Sequence, residues 1–228
     1  MNQNTKCHNC GADLQITDRF CSQCGSKHEI TPSTIHDNPA QPTEPQTELS
    51  RSLAMLDNME GLDAVKEKIH EIVDFVQKDR IRTEMMGYPS RFPRKYLFIG
   101  NPCTGRTTVA RLLANILHEL GVMPQYKMIA VWSKALVGNQ AGHSAAKVRN
   151  AVDNALGGVL FIDDIHLLLN EEKDPLAQET IETLMSEFAN HTDDLVCIAA
   201  GTPLEVEKML NEHKGLRERF DCELVFER

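Results

Sequence analysis

Residues 96–120 read YLFIGNPCTGRTTVARLLANILHEL, and this stretch decides the fold. YLFI is an apolar run of strand length. GNPCTGRT, from Gly100 to Thr107, follows it directly, and TVARLLANILHEL then reads as a helix from about Thr107 to Leu120. A loop between a buried strand and a helix N-terminus is what phosphate binding requires, because backbone N–H groups and the open first turn of the helix together face the phosphate oxygens. The candidate nucleotide-binding residues are Gly100, Asn101, Pro102, Cys103, Thr104, Gly105, Arg106, Thr107 and Thr108. Further along, GGVLFIDD ends an apolar strand on Asp163 and Asp164. A carboxylate there can hold Mg2+, through water, against the phosphates of a nucleotide. The bland alternative is an ordinary strand, turn and helix plus a strand ending in a solvated acidic turn. The two motifs standing in this order favour the phosphate loop.

Outward from this stretch the same alternation continues. KMIAVW, GVLFID, LVCIAAG and CELVFE read as strands, and helices are expected from about Ala145 to Leu156, Pro175 to Ala189 and Leu204 to Asn211. Continuous apolar strands separated by helices imply a parallel sheet covered on both faces, an α/β fold. Before it, Leu62, Val65, Ile69, Ile72, Val73 and Val76 recur at three- and four-residue spacings, one apolar stripe of a helix. The preceding stretch from His28 to about Ser50 holds prolines at 32, 39, 42 and 45 and few large apolar residues, and reads as a linker. The expected organisation is a small module over 1–27, a flexible linker over 28–50 and a nucleotide-binding core over 51–228.

The N-terminal module is marked by CHNCGADLQITDRFCSQC, residues 7–24. Cys7 with Cys10, and Cys21 with Cys24, form two CxxC pairs, each able to present two thiolates from one tight turn. Together they make a tetrahedral four-cysteine site suited to Zn2+, a zinc ribbon. A redox dithiol is the alternative, but such motifs come singly beside a βαβ unit. The remaining cysteines, Cys103, Cys197 and Cys222, are scattered, unlike a secreted disulfide framework. A formal charge of −9 argues against nucleic acid or an anionic membrane as the default partner, since both need clustered cations. No apolar run approaches the roughly 20 residues that cross a bilayer, so a cytoplasmic protein is expected.

GNPCTGRTTVARLLANILHELG, LVGNQAGHSAAKV, GGVLFIDDIHLLL and GLRERF resemble the AAA+ ATPase group that contains the red-type rubisco activases and sporulation stage V protein K, over about Leu56 to Phe226. The resemblance implies ATP binding with Mg2+, a five-stranded parallel sheet in the order 5-1-4-3-2, and assembly as a homo-oligomeric ring or a hetero-oligomer that acts on a protein partner or client. On this reading Thr107 and Asp163 serve magnesium, Arg106 the phosphates and Asp164 the attacking water, while Arg217 or Arg219 supplies an arginine finger to a neighbour's nucleotide. Thr202 lies near the sensor position. His118, His143 and His166 read as structural.

Four positions depart from the group's pattern of GNPGTGKTT, LVGxYxGxT and GGVLFIDEA. Arg106 stands for the loop lysine and Cys103 for a glycine. Asp164 stands for the glutamate that polarises water, and Gln140 for the aromatic that grips substrate. One methylene less withdraws the carboxylate at 164 by roughly 1 Å, a misplacement that costs about 10²-fold. The chain also stops at Arg228, just after the strand ELVF, so the group's helical lid is expected to be absent. A slow or impaired ATPase working on or scaffolding a protein partner is therefore expected. A catalytically inactive adaptor is the alternative, and a nucleic-acid-associated regulator acting through the ribbon is the least favoured.

Overall fold

The computed structural model describes residues 5–6, 13–14, 48–87, 92–168, 174–212 and 214–227. The chain divides into two compact units, Met1–Glu44 and Pro45–Arg228. In the first, strands β1 (Thr5–Lys6) and β2 (Asp13–Leu14) pair antiparallel, Thr5 opposite Leu14. Cys7 and Cys10 fall between these strands in sequence. All four candidate zinc ligands lie outside the described residues.

The second unit is built on β3 (Lys95–Gly100), β4 (Met128–Trp132), β5 (Val159–Asp163), β6 (Val196–Gly201) and β7 (Cys222–Phe226). All neighbours are parallel, in the spatial order β4-β5-β6-β3-β7. Counted within this sheet, that is the expected order 5-1-4-3-2.

The sheet is buried on both faces because successive strand residues point to opposite sides. Tyr96, Phe98, Val159, Phe161 and Ile198 enter the layer that also holds Val65, Ile69 and Val73 of α2 (Asp63–Met86) and Val109, Leu113 and Ile116 of α3 (Arg106–Glu119). Their neighbours Leu97, Leu160, Ile162 and Cys197 enter the opposite layer, with Val148 of α5 (His143–Ala155), Leu184 and Phe188 of α6 (Pro175–Asn190) and Val206 of α7 (Pro203–Glu212). Each large side chain buried this way contributes about 1.5–3 kcal/mol. Strand β7 lies at an edge: Cys222, Leu224 and Phe226 are buried while Glu223 and Val225 face out.

Helix α1 (Glu48–Asp57) begins inside the stretch expected to be linker. Its Ser52 is buried and donates a hydrogen bond to Glu119 of α3 at 3.0 Å. Leu62, expected at the head of the apolar stripe, instead precedes α2 with φ +62°, although its side chain still packs on the core. Three short elements were also not expected from sequence: α4 (Ser133–Leu136), a 3₁₀ turn at Ile165–Leu168 and α8 (Lys214–Arg217).

Candidate functional site

The carboxyl ends of β3 and β5 open on the same rim, where open α/β sheets place their ligands. There, Pro102, Cys103, Gly105, Arg106, Thr107, Thr108, Asp163 and Asp164 line one open cleft of ≈ 440 Å³. Residues more than fifty positions apart in sequence are thus brought together. Gly100 sits just below, where an added Cβ would stand 2.6 Å from the Cβ of Phe226, so only glycine lets β3 and β7 approach. Inside the loop the Thr104 hydroxyl donates to the Asn101 carbonyl at 2.8 Å.

Gly105 caps α3 with φ +90° and brings no side chain to the helix end. The first N–H groups of α3 therefore face the cleft without a side-chain partner at the cap, which suits an anion. Cys103 also has φ +65°, a conformation that is strained for a residue with a Cβ. Cys103→Gly should relieve about 1 kcal/mol, part of it offset by the freer unfolded chain. A calorimetric midpoint raised by about 2 °C is expected, and an unchanged or lower midpoint would show that the turn carries no strain.

Arg106 is the centre of the site. Its side chain is only 8% exposed, and Nη2 lies 3.3 Å from Asp164 Oδ1 and 3.4 Å from Asp163 Oδ1. Its Nη1 is buried with no hydrogen-bond partner. A buried unpaired donor costs about 1–3 kcal/mol, so the guanidinium is only partly satisfied by the two acids.

Asp164 is held from several sides. It adopts φ +50°, a region where Asp is enriched over most side chains. Its N–H donates to Asp163 Oδ1 at 3.0 Å. Its carbonyl accepts from the Ser133 hydroxyl at 2.7 Å and from the Leu167 N–H at 2.9 Å. Ser133, wholly buried, was missed in the sequence because a serine before an unremarkable apolar stretch carries no signal.

Two further contacts were missed. Met59 and Leu62, in the α1–α2 connection, come closest to where a Cβ on Gly105 would stand, at 3.2 and 3.8 Å. His166 is 7% exposed with Nδ1 unpartnered; burial pushes its imidazole below the usual value, and Asp164 acts in the opposite direction. His118 is structural, its Nδ1 lying 2.9 Å from the Met123 carbonyl. Gln140 is exposed, and the nearby Gly142 N–H donates to both carboxylate oxygens of Glu179 at 2.9 and 3.2 Å. Arg217 and Arg219 are exposed and do not line the cleft; Arg217 Nη2 lies 3.9 Å from Glu223 Oε1.

Residues 96–228 match the family described as ATPase family associated with various cellular activities (AAA). The chain belongs to the AAA family. Residues 6–27 match the zinc-ribbon domain family. ESX-1 secretion system protein EccA1 of Mycolicibacterium smegmatis is 38% identical over 182 residues, covering 78% of this chain and 32% of EccA1. Ribulose bisphosphate carboxylase/oxygenase activase of Cyanidioschyzon merolae is 38% identical over 177 residues, covering 76% of this chain and 60% of the activase. Protein CfxQ of Xanthobacter flavus is 38% identical over 184 residues, with 79% and 58% covered. The chain thus spans about a third of EccA1 and about three-fifths of the other two. The crystal structure of the FIGL-1 AAA domain in complex with ADP shares the fold, with a TM-score of 0.52 at 23% identity over 73% of this chain and 53% of that one.

An AAA domain implies a nucleotide with Mg2+. Phosphates fit this cleft: the loop and the N-terminal turn of α3 line it, no side chain caps that turn, and Arg106 brings a positive charge to it. Magnesium fits the arrangement poorly, because Oδ1 of each acid faces the guanidinium and a dication held by these acids would stand beside its positive charge. Among the described residues no helix is long and apolar enough to cross a membrane.

Proposed function

We propose that this AAA domain binds ATP in the cleft at the head of α3, hydrolyses it slowly, and works on or scaffolds a protein partner. The observation that carries the reading is Arg106, buried against two acids with its remaining Nη1 turned to no protein acceptor. The loop from Gly100 to Thr108 would bind phosphate through its backbone N–H groups, and Arg106 through its guanidinium. Asp164 would orient the attacking water, and Thr107 with Asp163 would serve a metal only if Arg106 released Asp163. Arg217 and Arg219, both exposed, would reach a neighbour's nucleotide in a ring or hetero-oligomer.

Placement in the group of red-type activases and stage V sporulation protein K rests on the quoted motifs and on the activase and CfxQ likeness. Two relatives carry names tied to other proteins, an activase of ribulose bisphosphate carboxylase/oxygenase and a component of the ESX-1 secretion system, which supports a protein client. For the N-terminal unit we assign Zn2+ to Cys7, Cys10, Cys21 and Cys24.

Slow turnover follows from Asp164, whose shorter side chain is also engaged by Arg106 at 3.3 Å. The same engagement favours the inactive adaptor as the second reading. Binding of a fluorescent ATP analogue followed by phosphate release from ATP over hours separates the two. Asp164→Glu should raise phosphate release about tenfold or more by extending the carboxylate toward the water. It should also lower stability by about 1 kcal/mol, because φ +50° suits Glu less than Asp. An unchanged rate in a folded variant would remove the water-orienting role from Asp164.

A further inference from the structure

We propose that Arg106 takes the place of the divalent cation, so that the cleft binds the di- or triphosphate of a nucleotide without metal; this rests on the nucleotide-binding reading above. A dication beside nucleotide phosphates does two things: it neutralises phosphate charge, and it ties the phosphates to protein acids. The Arg106 guanidinium is built to do both. One edge already faces the acids, with Nη2 at 3.3 Å from Asp164 Oδ1 and 3.4 Å from Asp163 Oδ1. The other donor, Nη1, is buried and without an acceptor in the protein.

Side-chain chemistry makes this specific to arginine. A guanidinium is planar, stays charged in a protein, and splits its donors between separate nitrogens, so one can hold carboxylates while another meets a phosphate oxygen. A lysine ammonium is a compact point charge that cannot be divided in this way.

The acids are also poorly placed to accept a metal. Asp163 Oδ1 receives the Asp164 N–H at 3.0 Å as well as facing Arg106. Asp164 is held by its backbone in a left-handed conformation, its carbonyl bound by Ser133 and Leu167. The cation is therefore covalently part of the chain and nearly wholly buried, at 8% exposure. An incoming Mg2+ would meet acids whose Oδ1 atoms already face the guanidinium, and would stand beside its positive charge.

The test is titration of a fluorescent ATP analogue, with unlabelled ATP as competitor, into the full zinc-loaded chain. One buffer contains excess magnesium, and the other is freed of divalent cations by resin before the protein is added, so that no chelator strips the ribbon. Dissociation constants within about threefold in the two buffers are expected. Binding weakened tenfold or more without magnesium would overturn the proposal while leaving the nucleotide-binding reading intact. No binding in either buffer would overturn both. Arg106→Lys, checked for folding by circular dichroism, should create a magnesium dependence of at least tenfold. An Arg106→Lys chain that binds equally well without magnesium would show that the guanidinium is not the cause, and would also overturn the proposal.

Discussion

Arg106→Ala should weaken nucleotide binding by about a hundredfold or more. Truncating one member of a buried, hydrogen-bonded charge group costs about 2–5 kcal/mol, and each 1.4 kcal/mol is about tenfold in affinity. Here the loss is compounded, because two carboxylates would be left facing the phosphates with no cation between them. Folding should suffer less: the side chains of Asp163 and Asp164 are 34% and 30% exposed and can be hydrated once Arg106 is gone. Equilibrium titration of the fluorescent analogue, beside a thermal melt, gives both quantities. Affinity within a few-fold of the parent would mean that the loop backbone and the α3 N-terminus alone hold the phosphates.

Removing zinc should unfold the N-terminal unit outright. The 22 residues from 6 to 27 are too few to bury a core of their own, so metal–thiolate bonding must supply the folding free energy, about 10–16 kcal/mol for comparable structural sites. The same outcome is expected from exchanging Cys7 and Cys21 together for serine, which takes one thiolate from each pair. Hydrogen exchange over residues 6–27 in the zinc-loaded and stripped chain measures it. Protection that survives metal removal would take zinc out of the account of this unit.

The alternation of strands and helices was legible because a parallel sheet covered on both faces needs continuous apolar runs, and YLFIG, VLFID and VCIAAG are such runs. Helix α1 was not legible in the same way. Its Leu49, Leu53 and Leu56 do share a helical face, but they follow a proline-rich stretch whose composition reads as unfolded. Tertiary packing on α3 overrides that local signal.

At the site, Cys103 stands for the group's glycine, and its φ of +65° gives the physical reason that glycine suits the position. The left-handed Asp164 was not anticipated, since nothing in IDDIH separates an extended strand end from a turn. Nor was the buried hydroxyl of Ser133 foreseen as a support for it, 31 residues away in the chain.

By itself, the order of apolar runs determined a parallel α/β sheet, and GNPCTGRT with the two acids after VLFI carried the resemblance to AAA ATPases, because those features depend on neighbours in sequence. What only the tertiary structure decided is the state of the charges in the cleft. Arg106 and Asp164 are 58 positions apart, one opening α3 and the other just after β5, and no periodicity or motif says whether the guanidinium points toward solvent, phosphate or acid. That choice is made by burial: a guanidinium closed off from water must find carboxylates, and the fold places two of them within 3.4 Å.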